Sequence, residues 1–187
     1  MFPALRLSIV AAALAALLPF AALSQTPPAP LQPGDAFGEA VQLAERPIIY
    51  LEGQANWDAA YDTIVEALRT VHSYLDRAGI KPAGNAMTIY IGADDTGFQF
   101  RVGVPIAEAP ADPPRGDLAL GKTPAGKAYR FLHRGSYDAM DTTYEAITNY
   151  LDEKNIEAQD IFIEEYETDL RSTPDDKLTI VITVPVK

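Results

Sequence analysis

The sequence predicts an α+β fold made of two repeated units, each with the order strand, helix, strand, strand. Two observations support this prediction: one stretch of residues recurs along the chain, and each copy combines a segment of helical periodicity with segments of strand-like alternation. We expect pseudo-twofold symmetry and one shared antiparallel sheet. Both helices would cover one face of this sheet, and the other face would form an open ligand groove.

The N-terminal segment has the layout of a secretory signal peptide. Arg6 is its only charged residue, an apolar run extends from Leu7 to Leu23, and Ala22 and Ser24 are the small residues that signal peptidase requires. We predict a signal peptide over residues 1–24, which makes the mature protein periplasmic or secreted and free of the membrane. Retention of the run as a membrane anchor is the alternative.

Composition narrows the class of partner. The formal net charge is −11, and such an acidic surface repels phosphate backbones and anionic lipids, which excludes nucleic acid and membrane surfaces. The chain has no cysteine, which excludes disulfides and a lipid-modified cysteine. It also has no paired histidines with metal spacing, no nucleophile elbow and no phosphate loop, so we predict neither a metal nor a cofactor.

The rest of the chain divides into a spacer and one domain. Residues 25–40 are rich in proline and are predicted to form an extended spacer. The following residues suffice for a single domain with one core, which we place at 41–187. Within it we assign repeat one to 41–106, a proline-rich linker to 107–122 and repeat two to 123–187.

Each repeat contains one amphipathic helix. The helices begin near Trp57 and Tyr137 and end at Gly79 and Asn155, the two residue types that most readily adopt the left-handed conformation that closes a helix. Their apolar residues are spaced by four, three and four positions, which places each set on one stripe. The two stripes are Ile64, Leu68, Val71, Leu75 and Met140, Tyr144, Ile147, Leu151.

The predicted strands flank these helices. One strand precedes each helix, at Val41–Glu52 and Lys127–His133, and two follow it. The strands after the first helix are Met87–Ile91 and Phe98–Ile106, and those after the second helix are Ile163–Glu167 and Leu178–Val186. Alternation directs Phe98, Phe100, Ile161, Ile163 and Ile182 towards the helices. It leaves Thr88, Tyr90, Arg101, Phe162, Glu164 and Tyr166 on the open face.

A carboxylate between two aromatic rings is the one pattern here that indicates specific chemistry. Glu164 stands between Phe162 and Tyr166 on the predicted open face. A partly desolvated carboxylate has a raised pKa and favours a cationic partner, and flanking rings add cation–π attraction. The alternative is a solvated strand residue with ordinary cross-strand packing around it. Whether Arg101 neutralises Glu164 is left open by the sequence; if it does, the preference for cations is weaker.

Two short motifs of the second repeat resemble a known family. Arg134-Gly135-Ser136-Tyr137 is similar to a Gly-x-Tyr helix start, and Glu164-Glu165-Tyr166-Glu167-Thr168-Asp169 is similar to a Glu-x-Tyr-x-x-Asp strand. Both motifs, with the terminal strand, resemble the GyrI-like small-molecule-binding domain, also called the AraC-type effector-binding domain. The resemblance spans nearly the whole domain and is strongest in the second repeat.

The resemblance implies a ligand groove between the two repeats, in which a strand Glu pairs with a cationic or polar aromatic ligand. That role falls to Glu164, with Tyr166, Tyr137 and Trp57 as walls, and Phe162, Tyr90 and Arg101 complete the predicted ligand-binding set. We therefore expect a periplasmic module that binds a small amphipathic molecule, with no assigned catalytic residue.

Two further hypotheses belong to other classes of function. The first is a hydrolase of a reactive small molecule, in which Glu164 acts as base with Tyr166 or Tyr137. The second is an envelope module that binds a protein partner. Substrate turnover would distinguish the hydrolase from the binding module.

Overall fold

The computed structural model describes residues 37–187 as an eight-stranded antiparallel sheet covered by two long helices. The predicted signal peptide lies outside the described residues, as does the predicted spacer up to residue 36. The strands are β1 Phe37–Leu43, β2 Pro47–Asn56, β3 Met87–Ala93, β4 Gly97–Pro105, β5 Leu118–Lys122, β6 Gly126–Arg134, β7 Phe162–Tyr166 and β8 Thr179–Pro185. The helices are α1 Ala60–Ala78 and α2 Met140–Glu153. The predicted α+β class is confirmed.

The helices begin and end as the sequence predicts. Each follows a short 3₁₀ turn, Trp57–Ala59 or Tyr137–Ala139. Gly79 has φ of 66° and Asn155 has φ of 53°, so both adopt the left-handed conformation. The amides of Ile80 and Ile156 fold back to the carbonyls of Leu75 and Leu151, each at 2.9 Å, and satisfy the last turns. In the part of the chain that the structure describes, neither helix is apolar enough over a sufficient length to cross a bilayer.

The sheet joins the two repeats at its centre and again through its edges. The strand order is β1-β6-β8-β7-β3-β4-β2-β5, so β3 of the first repeat pairs with β7 of the second. Only residues 44–46 separate β1 from β2, yet β1 lies at one edge and β2 lies near the other. In the same way, β5 lies at one edge of the sheet, and β6, which follows it closely in the chain, lies next to the opposite edge. Each repeat therefore receives its edge strand from the segment that precedes the other repeat.

A continuous two-stranded ribbon makes this exchange possible. Leu43 lies opposite Gly126 and Pro47 lies opposite Lys122, so the register between the two long segments is unchanged across the bend. At the bend, the Arg46 amide donates to Thr123 Oγ1 at 3.0 Å and the Thr123 amide donates to the Arg46 carbonyl at 2.9 Å. We call the β1–β2 segment paired with the β5–β6 segment the ribbon.

The ribbon changes two predicted boundaries. Residues 118–122, assigned to the linker, form strand β5 and pair with β2. Residues 37–40, assigned to the spacer, belong to β1. Each repeat thus gains a strand beyond the predicted strand, helix, strand, strand order.

Apolar side chains are buried on both faces of the sheet. Under the helices, Phe100, Phe131, Ile180 and Ile182 form the main core with Ile64, Leu68 and Ile147 of α1 and α2. On the opposite face, Ile48, Met87, Ile89 and Ile163 form a smaller cluster. Burial of one such side chain stabilises the fold by about 1.5–3 kcal/mol, so both clusters fix the position of the central strands.

Candidate functional site

Strand β7 directs Glu164 towards the helices. Glu164 lies directly opposite Thr88 of β3 on one side and Ile182 of β8 on the other, and Ile182 belongs to the core beneath the helices. Ile163 instead points to the opposite face, where it packs with Met87 and Ile89. The prediction that placed Glu164 and its neighbours on the uncovered face was therefore wrong. Alternation cannot identify the covered face when both faces bury apolar residues, whereas cross-strand register can.

Tyrosine hydroxyls surround the Glu164 carboxylate. Tyr144 donates to Oε1 at 2.8 Å, and Tyr137 and Tyr166 each donate to Oε2 at 3.1 Å. The Tyr90 hydroxyl lies 2.9 Å from that of Tyr137, and Thr88 Oγ1 lies 2.5 Å from the Tyr166 hydroxyl. Glu164 itself is only 1% exposed. We call these five residues (Thr88, Tyr90, Tyr137, Tyr144, Tyr166) the tyrosine cage.

The cage has a buried floor and a partly exposed outer wall. Thr88, Tyr90 and Tyr166 come from the central strands and are buried. Tyr137, in the 3₁₀ turn before α2, and Tyr144, on α2, are partly exposed. The outer wall is therefore the side of the cage that lies closest to solvent.

Polar contacts fix the outer wall in place. The Tyr137 amide donates to Asp175 Oδ1 at 2.9 Å. Thr143, next to Tyr144, has its Oγ1 2.7 Å from Nδ1 of the buried His133. The other ring nitrogen of His133 donates to the Ser136 carbonyl at 3.0 Å, which makes Nδ1 the acceptor for Thr143 in the neutral ring. His133 thus has a structural role and holds α2 against β6.

Burial and hydrogen bonding shift the pKa of the Glu164 carboxylate in opposite directions. Burial raises the pKa of Glu164 above its usual value, and the hydrogen bonds from the surrounding tyrosines partly offset this rise in pKa. Burial and the nearby Glu164 charge raise the pKa of Tyr90, Tyr137, Tyr144 and Tyr166 well above their usual value, so the phenols remain donors. None of the ion pairs between described residues includes Glu164.

Arg101 does not neutralise Glu164, which answers the question that the sequence left open. It lies on the face away from the helices, where its Nε donates to Glu52 Oε2 at 2.7 Å. Its guanidinium also lies 5.2 Å from the centre of the Tyr50 ring. The sheet itself separates the two groups, so among the described residues it is the phenols, and not Arg101, that contact the Glu164 carboxylate.

Two aromatic residues of the predicted set have different positions. Phe162 borders the cage, with its ring edge-on to Tyr144 at 5.7 Å between centroids. Trp57 lies outside the cage: its ring stacks on Phe98 at 4.8 Å, and Phe98 separates it from Tyr90. The tyrosine cage thus brings together Glu164, Tyr166, Tyr137 and Tyr90, with Phe162 at its border.

Tyr144 is a cage residue that the predicted set lacks. It occupies the position in α2 that Leu68 occupies in α1, on the apolar stripe that faces the sheet. The sequence signal that could have identified Tyr144 is a tyrosine where the other repeat has leucine, on a stripe that is otherwise apolar. Its hydroxyl requires a buried partner, and Glu164 supplies it.

A cavity of about 590 Å³ lies beside the outer wall. It is lined by α1 residues that include Tyr61 and by the segment from Leu170 to Pro174. The Tyr61 ring lies 5.4 Å from that of Tyr137, and its hydroxyl donates to the Leu170 carbonyl at 3.1 Å. Tyr61 and Tyr137 therefore stand between this cavity and Glu164. Among the described residues, no cluster of His, Asp and Glu side chains could hold a metal ion.

Several solved structures share this fold. EcmrR in its complex with DNA is 13% identical with a TM-score of 0.68, over 81% of this chain and 57% of EcmrR. A hydrolase encoded by lin2189 from Listeria innocua is 11% identical with a TM-score of 0.58, over 82% of this chain and 93% of that one. SAV2435 bound to tetraphenylphosphonium is 16% identical with a TM-score of 0.56, over 81% and 94% of the two chains. No curated protein matches the sequence.

Sequence comparison agrees with the fold. Residues 39–187 match the family described as the GyrI-like small molecule binding domain, which covers the whole sheet apart from the first two residues of β1. The predicted resemblance is confirmed, and this chain belongs to the GyrI-like small-molecule-binding domain family.

Proposed function

We propose that the protein is an exported module that binds an amphipathic aromatic cation against Glu164. The observation that supports this proposal is a fully buried carboxylate with phenolic donors on both oxygens and, within residues 37–187, no cationic side chain paired with it. Such a site is complementary to a cation that carries apolar rings.

The energetics favour a ligand of this class. Burial of a charge without a counter-ion costs several kcal/mol, which the phenolic hydrogen bonds only partly offset. A bound cation would supply the missing charge. The faces of the cage rings would add cation–π attraction of about 2 kcal/mol when water is excluded.

The ligand would reach Glu164 through the outer wall. Tyr137 and Tyr144 are the cage residues nearest to solvent, and Tyr137 packs against Tyr61, which lines the cavity. In this proposal the cationic group replaces one phenolic hydroxyl at Glu164, and the apolar part of the ligand fills the adjacent cavity. The structure of SAV2435 with tetraphenylphosphonium supports this class of ligand, because that ion combines one positive charge with four phenyl rings.

The net charge supports binding of a cation, and the N-terminal sequence supports export. A formal charge of −11 attracts cations and opposes contact with nucleic acid. Residues 1–24 have the pattern of a signal peptide, which supports export of the domain to the periplasm or out of the cell. Detection of the protein in the cytoplasmic fraction of its native host, with residues 1–24 intact, would overturn the proposed export.

The decisive experiment compares two ions of the same shape and opposite charge. We expect calorimetric titration of residues 25–187 to detect tetraphenylphosphonium binding and no tetraphenylborate binding. Glu164→Gln should weaken phosphonium binding by at least about 1.5 kcal/mol, the contribution of a hydrogen bond or contact to a charged group. Glu167→Gln is the matched control, since Glu167 is exposed and lies just beyond β7. Equal binding of both ions, or an unchanged affinity in Glu164→Gln, would contradict the proposal.

Hydrolysis is the second candidate, favoured by the raised pKa of Glu164 and by the hydrolase among the structural neighbours. In that reaction Glu164 would accept a proton from water, with Tyr166 or Tyr137 donating to the substrate. Mass spectrometry of bound ligands after prolonged incubation distinguishes the two functions. Unchanged ligand mass supports a binding module, and a product that disappears in Glu164→Gln supports a hydrolase.

A further inference from the structure

The two oxygens of the Glu164 carboxylate differ in their hydrogen bonding. Among residues 37–187, Oε1 accepts a hydrogen bond from one hydroxyl, that of Tyr144 at 2.8 Å. Oε2 accepts hydrogen bonds from two hydroxyls, those of Tyr137 and Tyr166, each at 3.1 Å. A buried acceptor without a donor is costly, so Oε1 depends on Tyr144. Oε2 keeps a donor when one of its two hydroxyls leaves.

Of the two donors at Oε2, Tyr166 is the fixed one. It is buried on β7, and its hydroxyl also contacts Thr88 Oγ1 at 2.5 Å. Tyr137 is partly exposed, and its hydroxyl lies 2.9 Å from that of Tyr90. Burial raises the pKa of Glu164, and the Tyr90 hydroxyl is one of the donors that partly offset this rise. Tyr90 therefore lies close enough to donate to Glu164 when Tyr137 leaves.

The backbone of Tyr137 is anchored, whereas its side chain is held mainly by the hydroxyl. The Tyr137 amide donates to Asp175 Oδ1 at 2.9 Å, and the carbonyl of the preceding residue, Ser136, accepts from the His133 ring at 3.0 Å. Both contacts are independent of the phenol ring. Displacement of the hydroxyl from Glu164 therefore needs rotation of one side chain and no movement of α2.

Tyr137 is also the outer-wall residue on the side of the cavity. Its ring lies 5.4 Å from the ring of Tyr61, which lines the cavity of about 590 Å³. The Tyr144 ring instead lies edge-on to Phe162, which is not part of that lining. A ligand that enters from the cavity thus meets Tyr137 before Tyr144.

We infer that Tyr137 is the gate of the site: its hydroxyl occupies the place at Glu164 Oε2 that the cationic group of the ligand takes. This inference rests on the proposed function and adds which donor leaves and which donors stay. Tyr144 and Tyr166 remain bonded to Glu164 in the complex. The Tyr137 hydroxyl therefore competes with the ligand, and it lowers the affinity of the site while it stabilises the empty cage.

Removal of this hydroxyl should have opposite effects on binding and on stability. We would titrate Tyr137→Phe and the wild type with tetraphenylphosphonium by calorimetry at pH 8, well above the usual pKa of a glutamate. We expect the variant to bind about tenfold more tightly, because it gives up no hydrogen bond to a charged group on binding. The same variant without ligand should melt at a lower temperature, since Glu164 has lost a donor. A variant that was only damaged would bind less tightly.

Two further tyrosine variants make the comparison specific. Tyr74→Phe is the matched control: Tyr74 lies on α1 beside the core, and its hydroxyl has no partner among the described residues, so its affinity should equal that of the wild type. Tyr144→Phe should show no gain in affinity, because the Tyr144 hydroxyl is bonded to Glu164 both with and without ligand.

A crystal structure of the wild type with tetraphenylphosphonium tests the same inference without a substitution. We expect the Tyr137 hydroxyl beyond hydrogen-bond distance of Oε2, with Tyr144 and Tyr166 still bonded to Glu164. The inference is overturned if Tyr137→Phe binds no more tightly than the wild type, if Tyr144→Phe shows the gain instead, or if the complex retains the Tyr137 contact. Binding that still depends on Glu164 would then leave the proposed function standing. Absence of phosphonium binding by the wild type would overturn both.

Discussion

Thr88 and Glu164 occupy equivalent positions in the two repeats and lie directly opposite each other in the β3–β7 pair. The pseudo-twofold axis therefore passes between them, with the equivalent residues Tyr90 and Tyr166 on either side. A symmetric arrangement would place two identical side chains face to face on this axis. Two buried carboxylates there would repel each other, and the threonine hydroxyl avoids this while it contacts Tyr166.

Thr88→Glu tests this relationship. The variant would place two carboxylates side by side, so at least one of them would have a pKa above its unfolded value. Stability is then present at low pH and lost as the pH rises through the folded pKa. We expect a loss of about 3 kcal/mol in unfolding free energy at pH 7, with partial recovery at pH 5, measured by urea denaturation. Thr88→Val, which adds no charge, should lack this pH dependence.

The raised pKa of Glu164 predicts a second pH effect. Because burial raises the folded-state pKa of Glu164 above its usual value, the contribution of Glu164 to stability decreases as the pH rises above that usual value. The unfolding free energy of the wild type, relative to Glu164→Gln, should therefore fall between pH 4 and pH 7. A pH-independent difference between the two proteins would show that the carboxyl group titrates normally.

Tyr144→Phe removes a single donor from the buried carboxylate. Since Glu164 Oε1 would lose its 2.8 Å hydrogen bond, we expect a loss of about 1–3 kcal/mol in unfolding free energy. Tyr74→Phe on α1 serves as the control, because Tyr74 packs beside the core and its hydroxyl has no partner among the described residues. Equal stability of the two variants would argue against a structural contribution from the Tyr144 hydroxyl.

Thr123→Val tests the bend of the ribbon. The buried Thr123 hydroxyl accepts the Arg46 amide, and valine would leave that amide unsatisfied. The expected cost is about 1–3 kcal/mol in thermal or urea unfolding. The same substitution at the exposed Thr142 of α2 should change stability by no more than about 0.5 kcal/mol. If both variants behave alike, the bend does not depend on this contact.

Features of the fold that a few neighbouring residues determine, such as the helix ends, could be predicted from the sequence. Gly79 and Asn155 close their helices as their residue types require, and the aromatic neighbours of Glu164 in the sequence singled out the carboxylate that the tyrosine cage surrounds. The covered face of β7 could not be found in this way, because Ile163 and Glu164 both point into buried regions. Strand β5 was missed because its partner, β2, is remote in sequence and the proline-rich segment before it resembles a linker. Non-local pairing decides such features.

The ribbon also determines how this chain can reach its native state. Phe37 pairs with Phe131, about ninety residues later, so the first described strand stays unpaired until most of the chain is present. Neither repeat has a complete sheet without the segment that precedes its counterpart, so we expect separate halves to remain unfolded and the whole to unfold in one step. Closure over such sequence distances is slow, and the folding rate should depend on formation of the ribbon, not on the helices.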